Sequence, residues 1–121
     1  MAVHWSHVPE PHDYPAAENY LSLLADAPMV SQLVERLRAA PIVTFKAKDI
    51  LRASRLPLLG RDNPHVTSDL KKVKDGQKLS PVLLLRGDVS RGLPAQIADG
   101  YHRVCASYYL DENTEIPAQI A

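Results

Sequence analysis

The run Val82-Leu83-Leu84-Leu85, entered through Ser80-Pro81, constrains this chain more than any other stretch. It has no polar position with which to face water. It is short for a helix and sits between proline and a Gly/Pro/Ser loop, so it reads as a central, buried strand. Burying it takes a core, and the chain's 121 residues suffice for one domain with such a core, without disulfides or metal staples.

The segments downstream continue the pattern. Gly87 to Pro94 is a loop, and Leu93 to Ala98 reads as a second strand ending in Asp99-Gly100. Tyr101 to Leu110 reads as a helix with Val104, Cys105 and Tyr108 toward the core, ended by Asp111-Glu112-Asn113. Ile116-Pro117-Ala118-Gln119-Ile120 reads as a last strand, and its proline favours an edge position.

Upstream, Asp13 reads as a helix N-cap with Pro15 in the first turn. Ala17, Tyr20, Leu21 and Leu24 then recur at helical spacing. Ala27-Pro28 restarts the chain, and Val30, Leu33, Val34 and Leu37 form a second stripe that Pro41 stops. Residues 13–40 are thus a helical hairpin that either packs on the sheet or offers an interface to a protein partner. Residues 1–12, with His4, His7 and His12, show no period and read as a flexible arm. Ile42 to Phe45 is a short β-branched strand and Lys46 to Ser54 a helix. Leu56 to Gly60 is a buried connector. Asn63-Pro64 opens a helix with Val66, Leu70 and Val73 on its inner stripe, and Asp75-Gly76 closes it.

The order α, α, β, α, α, β, β, α, β predicts an α+β fold, a small mixed sheet with helices preceded by the helical hairpin. The divisions are a 1–12 arm, a 13–40 hairpin and a 41–121 domain, forming one domain overall. No apolar run approaches the ~18 residues of a membrane span. The start lacks a signal-peptide layout, and a single cysteine, Cys105, excludes an internal disulfide. The expectation is a cytoplasmic protein with no membrane association. Net charge is zero but uneven: −3 over residues 1–40, +6 over 41–91 and −3 over 92–121. The basic middle suits an anionic ligand or is a solvated face.

One turn concentrates chemistry. At Asp99-Gly100-Tyr101-His102-Arg103 an apolar strand ends, and a helix begins with His and Arg in its first turn. Glycine allows close backbone approach. The helix start presents unpaired N–H groups and a positive dipole end. His102 and Arg103 add donors, a combination suited to phosphate. Locally, Arg103 could instead bridge to Asp99 or Glu115, and Asp99 could be the helix N-cap.

The succession Val66–Gly76, Ser80-Pro81-Val82-Leu83-Leu84, Ile97–Ala106 and Ile116-Pro117-Ala118 resembles the ParB N-terminal/sulfiredoxin superfamily. The likeness covers roughly residues 41–121 and rests on these elements in order. It implies a ParB/sulfiredoxin-like fold and a nucleotide-phosphate site at Gly100, Tyr101, His102 and Arg103. Sulfiredoxins place their catalytic cysteine where this chain has Tyr101. ParB proteins carry an arginine-rich turn and a following helix-turn-helix domain, neither of which appears in this chain. The Asp-Gly-Tyr-His-Arg form is most similar to the Asp-Gly-His-His-Arg turn of the superfamily's free serine kinases.

That resemblance also places nucleotide contacts at Arg61, Asp62 and His65. His65 is then a general base or phosphate donor, and Asp62 an acid/base or metal group; otherwise they are a surface histidine and a turn aspartate. Asp99 is a candidate base, metal ligand or orienter of His102. Lys46, Lys48 and Arg52 flank the pocket or lie on a solvated face. Cys105 is a small buried hydrophobe. The expected function is nucleotide or phosphate binding, with ATP, ADP or CTP and Mg²⁺ as ligands, extending to phosphoryl transfer or nucleotide hydrolysis. The alternative is a non-catalytic accessory module docking a partner through 13–40. Nucleic-acid binding is the weaker third reading, given zero net charge and few aromatics.

Overall fold

The computed structural model describes residues 1–121, and its elements begin with β1 (His4–Trp5), α1 (Asp13–Leu21), α2 (Ala27–Ala39), β2 (Val43–Lys46), α3 (Ala47–Ser54) and α4 (Pro64–Lys74). They continue through β3 (Lys78–Leu79), β4 (Val82–Leu85), a 3-10 turn at Val89–Arg91, β5 (Gln96–Asp99), α5 (Tyr101–Leu110) and β6 (Glu115–Ile120). This is an α+β fold. Four strands form a mixed sheet in the order β2-β6-β4-β5, and β1 pairs with β3 separately. No helix is long and apolar enough to cross a membrane.

β4 is central, and both its faces are covered, which explains its uniform apolarity. Successive strand residues point to opposite faces. Val82 and Leu84 pack with Ile50, Leu51, Val66 and Val104 of α3, α4 and α5. Leu83 points the other way, into Tyr14, Ala17, Leu21, Val34 and Leu37 of the hairpin. The hairpin therefore spends its apolar stripe on the sheet. The Tyr14 hydroxyl donates to Gln119 Oε1 at 2.6 Å, and Gln119 Nε2 donates to the Ala40 carbonyl at 3.0 Å. These bonds supply the partners that a buried polar group needs under the hairpin.

Several expectations are corrected. The 1–12 segment is docked rather than loose: His4 and Trp5 pair in parallel with Lys78 and Leu79, and the Ser6 amide donates to the Leu79 carbonyl. Trp5 packs against the core. α1 ends at Leu21, so Leu24 lies in the turn and is exposed. Leu56 and Leu58 of the connector are also exposed, and Leu59 alone of its leucines packs on the core. β6 is an interior strand despite Pro117. The proline is accommodated because β4 pairs with β6 only from Ala118 onward. At Pro117 the strand has a partner on one side only, Thr44 of β2, so one missing donor is tolerated.

The register shifts between β4 and β5. Leu83 faces Asp99, Leu84 faces Ile97, and Ala98 is the extra residue. Such a bulge re-aims the side chains beside it. Ile97 and Ala98 go to the two opposite cores, and Asp99 is turned toward Asp13 at the start of α1. Gly100 follows with φ +109°, and a Cβ there would stand 2.5 Å from Val82 Cγ1. Glycine is required on both counts. Gly100→Ala is expected to lower unfolding free energy by about 1–3 kcal/mol in urea titration, the cost of a strained backbone plus a clash.

Candidate functional site

A cleft of about 450 Å³ opens where the first turns of α4 and α5 meet the start of α1. Asn63 Oδ1 caps α4 by accepting from the His65 and Val66 amides at 3.0 and 3.3 Å. α5 has no side-chain cap, and its Tyr101, His102 and Arg103 amides find no acceptor within the protein. Those amides, with the positive end of the α5 dipole, favour an anion beside them.

The two histidines meet there, with ring centroids 4.7 Å apart. Burial and the neighbouring His65 lower the pKa of His102, so its imidazole is neutral near pH 7. Asp69, one helical turn beyond His65, is buried, and that burial raises its pKa against the pull of Lys72, Arg103 and both histidines. Lys72 Nζ lies 3.8 Å from Asp69 Oδ1. Lys78 and Ser68 complete the polar wall, and Lys78 is in no ion pair.

Arg103 lies at the base of this cleft and is already committed. Its Nη1 donates to the Ser80 carbonyl at 2.7 Å, to the Ser80 hydroxyl and to the Pro81 carbonyl at 3.2 Å. Its Nη2 donates to Asp99 Oδ2 at 2.6 Å and lies 3.7 Å from Asp13 Oδ1. The bridge to Asp99 is thus the one of the two local alternatives that forms. Burial and the Asp13 carboxylate raise Asp99 to about 6, against the pull of Arg103.

The cleft gathers Asp99, Gly100, His102, Arg103 and His65, as the sequence led us to expect. Tyr101 does not line the cleft, and its hydroxyl donates to the Pro57 carbonyl. Arg61 and Asp62 stand outside the cleft. Arg61 lies over the Tyr109 ring at 4.7 Å and donates to the Tyr109 carbonyl. Lys46, Lys48 and Arg52 are also outside. Cys105 is fully buried, with burial raising its thiol pKa. Asp13, Asp69, Lys72 and Lys78 were missed. Asp13 is not the cap of α1: His12 holds that position, and the Asp13 carboxylate accepts from the Glu10 amide at 2.8 Å. Its buried place beside Arg103 depends on a pairing distant in sequence.

No three His, Cys, Asp or Glu side chains converge to hold a metal ion. With Asp99 accepting from Arg103, the donor set does not fit a protein-held Mg²⁺. Comparison with protein-family models, with curated proteins and with solved structures gave no match.

Two outcomes follow from the buried triad. Arg103→Ala leaves two buried carboxylates unpaired and is expected to cost about 3–5 kcal/mol of stability by urea titration. Asp99 favours its protonated form in the fold, so its contribution is full below pH 3.8 and is lost as pH rises through about 6. Relative to Asp99→Asn, the wild type should therefore lose stability between about pH 4 and pH 7 in melting curves.

Proposed function

We propose that the cleft binds the phosphate group of a nucleotide or another phosphorylated small molecule. The observation that carries this reading is the α5 N-terminus, its first amides unpartnered, with His65 of α4 beside His102. The resemblance of the Asp99–Arg103 turn to the ParB/sulfiredoxin superfamily points to the same ligands, ATP, ADP or CTP. The α5 amides, His102, His65 and Lys78 contact the phosphate. Lys72 adds charge, and Gly100 allows the approach. Arg103 holds the turn in place rather than reaching the ligand. Any Mg²⁺ arrives on the nucleotide's own phosphates.

If the site transfers phosphoryl groups, its work is positioning and charge stabilisation. His102, neutral near pH 7, is the group able to accept the proton of an attacking hydroxyl. Asp99 is engaged with Arg103 and leaves that role to the histidine.

Thermal-shift titration with ATP, ADP, CTP and pyrophosphate, with and without Mg²⁺, tests the reading. A stabilising shift is expected that His102→Ala removes and that grows as pH falls below 6.5, where His102, its pKa lowered by burial, begins to gain charge. Absence of any shift at millimolar ligand rejects the phosphate site. A second reading then leads: an accessory module docking a partner through 13–40. It is favoured by Leu23, Leu24 and Met29, which stand 82%, 56% and 48% exposed at the hairpin turn.

A further inference from the structure

A second hollow, of about 480 Å³, lies between the C-terminal end of α3 and the loop joining β4 to β5. It shares no residue with the cleft. Arg52, Arg55 and Arg86 wall it, Val89, Leu93 and Ile120 supply apolar surface, and no acidic residue lines it. Arg55 and Arg86 have no carboxylate partner, and Arg52 reaches only the surface carboxylate of Asp49, at 3.5 Å. Unpaired arginines around an apolar floor are the complement of a carboxylate-bearing chain with an apolar side chain.

The loop is built to hold this shape. Asp88 and Leu93 exchange backbone hydrogen bonds of 3.0 and 2.9 Å, and the Asp88 carboxylate accepts from the Ser90 amide at 3.1 Å. At Gly87 a Cβ would lie 2.3 Å from the Leu93 carbonyl oxygen, so only glycine lets the strands close here. This braced loop leaves Val89 wholly exposed and Leu93 half exposed. Apolar side chains held in water by an ordered loop lose little further freedom on binding. Arg55 is the one non-glycine residue with positive φ, +56°. Asparagine or glycine would suit that backbone better, yet the position carries the cation that walls the hollow.

We infer that this hollow is a docking site for an acidic peptide segment carrying an apolar side chain. The acidic residues engage Arg55, Arg86 and Arg52, and the apolar side chain lies against Val89 and Leu93. The three arginines belong to the 41–91 stretch, whose charge is +6. The hollow has no aromatic side chain on which a base could stack. Its apolar floor gives a bare phosphate nothing to bury.

The test is fluorescence anisotropy on the full chain with a fluorescein-labelled peptide alternating Asp/Glu pairs with Leu. Two further probes are the same peptide with Ser for Leu and a single-stranded oligonucleotide. The acidic Leu peptide should bind, more weakly as salt rises, and more tightly than either other probe. Arg55→Asn with Arg86→Gln, and separately Val89→Ser, should each weaken it about tenfold or more, the scale of a hot-spot loss. Asn suits the left-handed backbone at 55, and the other two positions are exposed, so circular dichroism should find these variants folded. Absence of peptide binding, binding indifferent to these variants, or equal or tighter binding of either other probe overturns the inference.

Discussion

One guanidinium lies where four segments of the chain meet. Arg103 is only 12% exposed and lies between Asp99 and Asp13, themselves 18% and 6% exposed. It also holds the carbonyls of Ser80 and Pro81, where the chain turns into β4. The end of β5, the start of α5, the entry to β4 and the start of α1 are thus referred to one side chain. A buried charge is tolerated only when it is paired and hydrogen-bonded. Here two carboxylates and two carbonyls do that, and no buried side-chain nitrogen or oxygen lacks a partner. Gly100 lets the backbone pass against Val82 so that the guanidinium can reach.

On the proposed reading, this commitment changes where the cleft's attraction for an anion comes from. An arginine held between two carboxylates has little field left for a ligand. The attraction falls to the α5 amides, the α5 dipole, His102, His65 and Lys78. Acidic groups still line the cleft: Glu10, Asp13, Asp69 and Asp99. Burial favours the protonated forms of Asp69 and Asp99, while Asp69 also draws His102 toward its charged form. Protonating either carboxyl removes a negative charge from the cleft, and protonating a histidine adds a positive one. Acid therefore shifts Asp69, Asp99 and His102 in the same direction.

Legibility from sequence followed how local each signal was. The buried β4 run, the Asn63-Pro64 start of α4, the Gly76 stop and the Gly100 turn are set by neighbouring residues, and each stands where the pattern placed it. So does the second hairpin helix, whereas the first stops at Leu21, short of Leu24. The remainder depended on pairings across the fold. Nothing near Asp13 indicates that it faces Arg103. Trp5 finds its place only because Lys78–Leu79 offers a short edge. The bulge at Ala98 depends on what β4 presents opposite it. Pro117 argued for an edge strand because its missing donor was counted without the register that tolerates it. Arg61 and Asp62 share a turn with His65 yet point away, because only α4 itself enters the cleft wall.

The segment from Glu10 to Ala16, across the join of arm and hairpin, walls the cleft and is not merely a cover for the sheet. Glu10, His12, Asp13 and Ala16 line the cleft opposite His65, Asp69 and His102. Their position is held from both sides: upstream, β1 pins His4–Trp5 to Lys78–Leu79, and downstream, Ala17 and Leu21 sit in the core beneath β4 and β5. Lys78 and Ser80 belong to the strand and turn that this pairing braces. A disturbance of the first dozen residues therefore reaches Lys78 through the β1–β3 ladder and Arg103 through Asp13. The boundary between hairpin and remaining chain, plain at Pro41 in the sequence, does not divide the cleft, because its lining comes from both sides of it.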